Sequence, residues 1–184
     1  MRVTLLLLSI VACAATVDCK RSDHGRVAAF TRPGLPAGFV EAAGTDWKVA
    51  VPSTWGPSPQ GSAVAWVYDD PQAVDDYRAN VVVVTEPFTG ESYDYAKATE
   101  DSLHRDKRAT VEASREDVID GDPTFVIESR WSPPTPSKPP FRTMQTELAS
   151  RETGYVVTCA ASATAFERYR STCDAILRSF AVRR

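Results

Sequence analysis

The stretch GYVVTCAASATAFERYRSTCDAILRSF, residues 154–180, decides the fold. Its first half alternates: Tyr155, Val157 and Cys159 point one way, and Val156, Thr158 and Ala160 point the other, as in a strand. Its second half carries Phe166, Tyr169, Cys173, Ile176, Leu177 and Phe180 at spacings of 3, 4, 3, 1 and 3, which is one apolar helical stripe. Thr164 and Glu167, three apart, read as a capping box at the start of that helix. A helix with a single apolar face needs a sheet to lie on, so the preceding chain should supply strands.

Working outward, it does. Strands are expected at 39–42, 46–52, 63–68 and 77–85, with 69–76 as a polar connection and 53–60 as a loop punctuated by Pro57 and Pro59. Val81, Val82, Val83 and Val84 suit a strand buried on both faces. Residues 92–107 are helical by composition, with Tyr95, Ala96, Thr99 and Leu103 inward and Ser92 or Thr89 as the cap. Strands at 110–113 and 124–131 flank an acidic turn, 115–123. Five prolines between Trp131 and Phe141 exclude a central strand and make a stiff loop, after which 142–150 returns as a strand. Hairpin-paired strands covered by helices define an α+β fold with a largely antiparallel sheet.

A length of 184 residues allows one domain with a good core. The net charge of −3 argues against sequence-independent nucleic-acid binding. Residues 1–12 pair Arg2 with a short apolar run and read as an export signal. Ile10-Val11-Ala12-Cys13 resembles a bacterial lipobox, which would make Cys13 the lipidated residue; cleavage after Ala14 or Ala15 also fits a signal-peptidase pattern. Cys19 sits at a more usual distance, but Asp18 replaces the small residue required before it. Residues 13–37 then form a flexible tether and 38–184 the folded domain. Export places Cys159 and Cys173 in an oxidising compartment on one strand–helix interface. A disulfide there would close a loop of about 15 residues and contribute about 3 kcal/mol; two buried thiols are the alternative.

The run Trp47-Lys48-Val49-Ala50-Val51-Pro52 followed by Trp55, the run 77–84, Gly121 before a strand, Tyr155-Val156-Val157-Thr158 and Ile176-Leu177-Arg178-Ser179-Phe180 together resemble the PsbP-like α/β/α sandwich superfamily. Within it they are most similar to bacterial envelope lipoproteins of the DcrB and LpqN type. The resemblance covers roughly residues 39–182 and implies a binding or assembly role with no shared active site. Its members include a photosystem subunit, a Ran-binding nuclear protein and chaperones of secreted toxins.

Chemistry-bearing motifs are sparse. His24 falls in the tether and His104 on a helix, neither beside a nucleophile motif. Asp69, Asp70, Asp75 and Asp76 crowd one connection and read as a solvated acidic turn rather than a cation loop. No catalytic, metal or cofactor set is expected. Trp47 and Trp66 read as core. Trp55 and Trp131, with Pro133, Pro134, Pro136 and Pro139, form the expected partner surface, since tryptophan is enriched in binding hot spots. The reading is a non-enzymatic envelope lipoprotein that binds an envelope protein and touches the membrane only through its lipid. A chaperone or carrier that cradles an apolar segment or small apolar ligand is the alternative.

Overall fold

The computed structural model describes residues 34–58, 65–133, 135 and 138–184. The expected signal, Cys13, Cys19, His24, Pro134 and Pro136 lie outside the described residues. In order the chain forms β1 (Phe39–Ala43), β2 (Trp47–Pro52), β3 (Gly56–Pro57), β4 (Ala65–Val74), β5 (Tyr77–Pro87), α1 (Ser92–Arg105), β6 (Ala109–Ile119), β7 (Asp122–Trp131), β8 (Phe141–Ser150), β9 (Thr153–Ser162), α2 (Phe166–Ser179) and β10 (Ala181–Val182). Seven strands make one sheet in the order β3-β4-β5-β9-β8-β7-β6, and β1-β2-β10 make a small second sheet. Strand pairing is antiparallel throughout. The fold is the expected α+β one.

The helices take opposite faces. Val126 packs in the core that holds the α2 stripe, while its neighbours Phe125 and Ile127 pack with Ala96 and Leu103 of α1. Strand alternation makes those two faces of β7 opposite sides of the sheet. The larger core is the α2 side, where Phe166, Cys173, Ile176, Leu177 and Phe180 are all buried, as the stripe requires. Val49 and Val51 of the small sheet close that layer. Cys159 and Cys173 are joined by a disulfide, with Cα atoms 5.4 Å apart.

Three hairpins turn in two residues: Asp75-Asp76, Asp120-Gly121 and Arg151-Glu152, each with φ positive at both positions. Positive φ at both centres gives the turn twist that matches paired strands. The acidic stretches are therefore shorter as turns than their composition suggests. β4 runs on through Val74 with an irregularity between Asp69 and Ala73, so 69–76 is mostly strand. Likewise β6 takes up most of 115–123, leaving Asp120-Gly121 as the turn. In β5, Val81 and Val83 are buried but Val82 and Val84 are only half-buried, because α1 covers β6 to β8 and stops short of them.

Neither expected helix cap forms. α2 starts after Ala165 with no side-chain cap; Thr164 instead hydrogen-bonds Asp75, and Glu167 is drawn to Arg142 and Arg170. Pairing with a guanidinium outcompetes a neutral backbone amide. Ser162 takes part of the role, its hydroxyl accepting from the Ala165 N–H at 3.3 Å. α1 is preceded by Glu91, again without a cap bond, because the Ser92 hydroxyl donates to Asp122 at 3.0 Å and accepts from the Ala149 N–H at 2.9 Å.

Gly154 sets how closely α1 approaches β9. A Cβ there would sit 2.7 Å from Cζ of Tyr95 and 3.0 Å from Cβ of Phe88. Gly154→Ala should cost about 1–3 kcal/mol by forcing the Tyr95 ring off the strand, and adding Tyr95→Leu should recover part of it; thermal unfolding of the single and double variants checks both. Leu177→Ala should cost about 2–5 kcal/mol through the cavity it leaves in the larger core, read by urea denaturation.

Candidate functional site

The strand directions gather several loops at one end of the sheet. β4 ends and β5 begins there, β7 ends and β8 begins there, and β9 passes into α2 there. β2 also ends on this side, so residues 53–58 join the same rim through Gly56 paired with Asp69 and the Ser58 N–H donating to Val67 O at 2.9 Å. Residues 53–58, the Asp75-Asp76 turn and the described feet of the proline loop therefore converge at this end. They are tied to one another. Thr164 bonds Asp75, the Ala163 N–H donates to Pro140 O at 3.0 Å, and the Ser132 N–H donates to Arg108 O at 2.8 Å.

The two tryptophans expected on this surface are instead beneath it. Trp55 and Trp131 are each 6% exposed, so neither ring lies on the surface. Trp55 packs in the larger core at 6.3 Å from the ring of Tyr169, whose hydroxyl donates to Asp70 at 2.8 Å. Burial, then the Asp70 carboxylate, raises that hydroxyl's pKa. Trp131 lies in the α1-side core, parallel to Phe141 at 6.0 Å, and its Nε1–H donates to Thr143 at 3.2 Å. Tyr77 extends the stack on the other side of Phe141 at 5.5 Å, and burial pushes its hydroxyl up to about 12. Proline neighbours marked both tryptophans as loop residues; the apolar indoles turned inward to anchor those loops. Trp47 and Trp66 pack edge to face at 4.9 Å against the larger core, half-buried.

The α2 side of the rim has a charged support that sequence reading missed. Arg142 pairs with Glu112 at 2.7 Å and Glu128 at 3.5 Å, and Arg170 pairs with Glu128 as well. Both guanidiniums lie over the Phe166 ring, at 4.5 and 5.4 Å from its centroid. Glu128, 6% exposed, is thus a buried carboxylate flanked by two cations. Arg170 and then Arg142 hold the Glu167 carboxyl down to about 2. The signal available in the sequence was weak: charged residues spread over β6, β7, β8 and α2, with no common spacing.

On the rim itself Thr135 and Lys138 are exposed, and Pro133 and Pro139, the feet of the loop, are half-buried. His104 is exposed on α1. Among the described residues no three His, Cys, Asp or Glu side chains are placed to hold a metal. A shallow hollow of about 360 Å³, lined by Trp47, Lys48 and Val182 among others, lies at the other end of the molecule.

No protein-family model and no curated protein sequence matches the chain. Solved structures do. The solution structure of cyanobacterial PsbP from Synechocystis sp. PCC 6803 aligns with a TM-score of 0.54 at 16% identity, over 83% of this chain and 98% of that one. The Saccharomyces cerevisiae Ran-binding protein Mog1p aligns with a TM-score of 0.54 at 12% identity, over 81% and 96%. A Pseudomonas aeruginosa protein of unknown function, PA94, gives 0.55 at 11%, over 80% and 99%. The domain has the PsbP-like fold. At these identities the likeness concerns the backbone and carries no residue roles across.

Trp131→Phe keeps an aromatic side chain but removes the bond to Thr143. It should cost about 1–3 kcal/mol through the buried hydroxyl left short of its donor, measured by urea denaturation.

Proposed function

We propose that this domain is a non-enzymatic protein-binding or assembly module of the cell envelope, similar in role to lipoproteins of the DcrB and LpqN type. It is exported on residues 1–12 and anchored by a lipid on Cys13. The observation that carries the reading is the convergence of the three loops over a packed aromatic and charged base. Loops held on a rigid scaffold concentrate binding function, and proline lowers the entropy lost when such a loop is fixed by a partner. A protein partner also agrees with what the name of one structural neighbour, Ran-binding protein Mog1p, states of that protein. The lipid anchor rests on the Ile10-Val11-Ala12-Cys13 box alone.

Two experiments test it. Deleting residues 133–139 should leave the unfolding temperature within a few degrees of the parent while abolishing capture of partners from detergent-solubilised envelope extract. A folded deletion variant that still captures the same proteins moves the site off this rim. Cys13→Ser in the full chain should shift the protein from membrane to soluble fractions, and full retention on membranes overturns the anchor.

A further inference from the structure

Glu147, in the middle of β8, is completely buried beneath α1. One carboxyl oxygen accepts from Gln145 Nε2 at 2.8 Å, and the other, Oε2, has no hydrogen-bond partner among the described residues. Among the described residues no cation is paired with it. From α1, Glu100, 8% exposed, acts on it electrostatically, and the Glu100 carboxylate is held ionised first by the Lys97 ammonium at 2.7 Å. Lys97 also pairs with Asp101, on the solvent side of the helix, and His104 adds a weaker attraction for Glu100. Tyr95 faces the same interface from α1 and donates its hydroxyl to Glu86 of β5 at 2.5 Å. β6 contributes Glu116, which accepts from Tyr93 at the edge of the helix, while β7 and β9 present Phe125, Ile127, Val156 and Thr158 on this face.

We propose that α1 is a proton-operated latch: loss of the proton from Glu147 to solvent leaves a carboxylate charge with an unpartnered oxygen buried beneath α1, repelled by the Glu100 charge, and releases the helix from the sheet. The rest of the domain stays closed, because α1 rests on its own smaller core whereas α2 is pinned to β9 by the disulfide and the larger core. Release uncovers Phe125, Ile127 and Trp131, an apolar patch continuous with the rim's aromatic stack.

Burial, with Glu100 adding to it, moves the Glu147 carboxyl from 4.5 to about 8. The folded value is the higher one, so the contribution is complete below about 4.5 and is lost as pH rises through about 8. Tyr95 is pushed above the usual phenol range by burial and Lys97 is raised by Glu100, so neither titrates ahead of Glu147.

Native-state hydrogen exchange read by mass spectrometry, corrected for the intrinsic rate at each pH, tests the latch on the folded protein. Between about pH 6 and about pH 9.5, peptides from α1 should lose protection by about tenfold or more while α2 peptides do not. Glu147→Gln, an isostere of the protonated acid, should keep α1 protected at the higher pH. Glu100→Gln, which removes the repelling charge, should shrink the loss and serves as the deciding variant if Glu147→Gln fails to fold. Equal loss in α1 and α2, or a wild-type loss in either variant, overturns the proposal.

Discussion

β9 is buried on both faces and lies at the centre of the seven-stranded sheet, and the rest of the molecule is fitted to it. On one side Cys159 is bonded to Cys173, fixing where α2 crosses. On the other, the missing side chain of Gly154 is the space into which Tyr95 of α1 settles. Its edges pair with β5 and β8 over most of their lengths. A strand with no free face and no free edge tolerates little change in volume, since interiors are packed to crystal-like density. α2 takes its height above the sheet from it, and α1 leans the Tyr95 ring onto it.

The two faces treat buried acid differently. Glu128 on the α2 side is paired with two guanidiniums, those of Arg142 and Arg170. Glu147 on the α1 side meets one amide, is repelled by another carboxylate, and holds its proton instead. A buried charge is retained when it is paired and neutralised when it is not. The consequence is a domain with one face locked by opposite charges and one whose fit depends on protonation.

What the chain revealed in advance follows the range of the interactions involved. The α2 stripe, the alternation of β9 and the hairpin order are local patterns, and each formed as read. Resemblance to the PsbP-like sandwich added the architecture that the solved structures share. The caps failed because Thr164, Glu167 and Ser92 are engaged by Asp75, Arg142 and Asp122, residues distant in sequence. Trp55 and Trp131 were misplaced because adjacent prolines mark a backbone as loop without saying where an indole points. Thr143, Gln145 and Glu147 alternate with Met144, Thr146 and Leu148 and read as a polar, solvent-facing set. Only the packing of α1 over β8 makes that face an interior, and no local pattern announces it. For the candidate rim, the loops were legible and the base that supports them was not.

The small sheet also decides how the domain would bear tension. Phe39 enters β1 opposite Pro52, at the loop end, whereas Val182 leaves β10 opposite Trp47, at the far end, and both strands flank β2. A pull between those two points therefore runs along the strands. It loads the five residue pairs of β1 with β2, and the two of β10 with β2, in shear, together, rather than peeling them one by one. α1 with its smaller core lies outside that path.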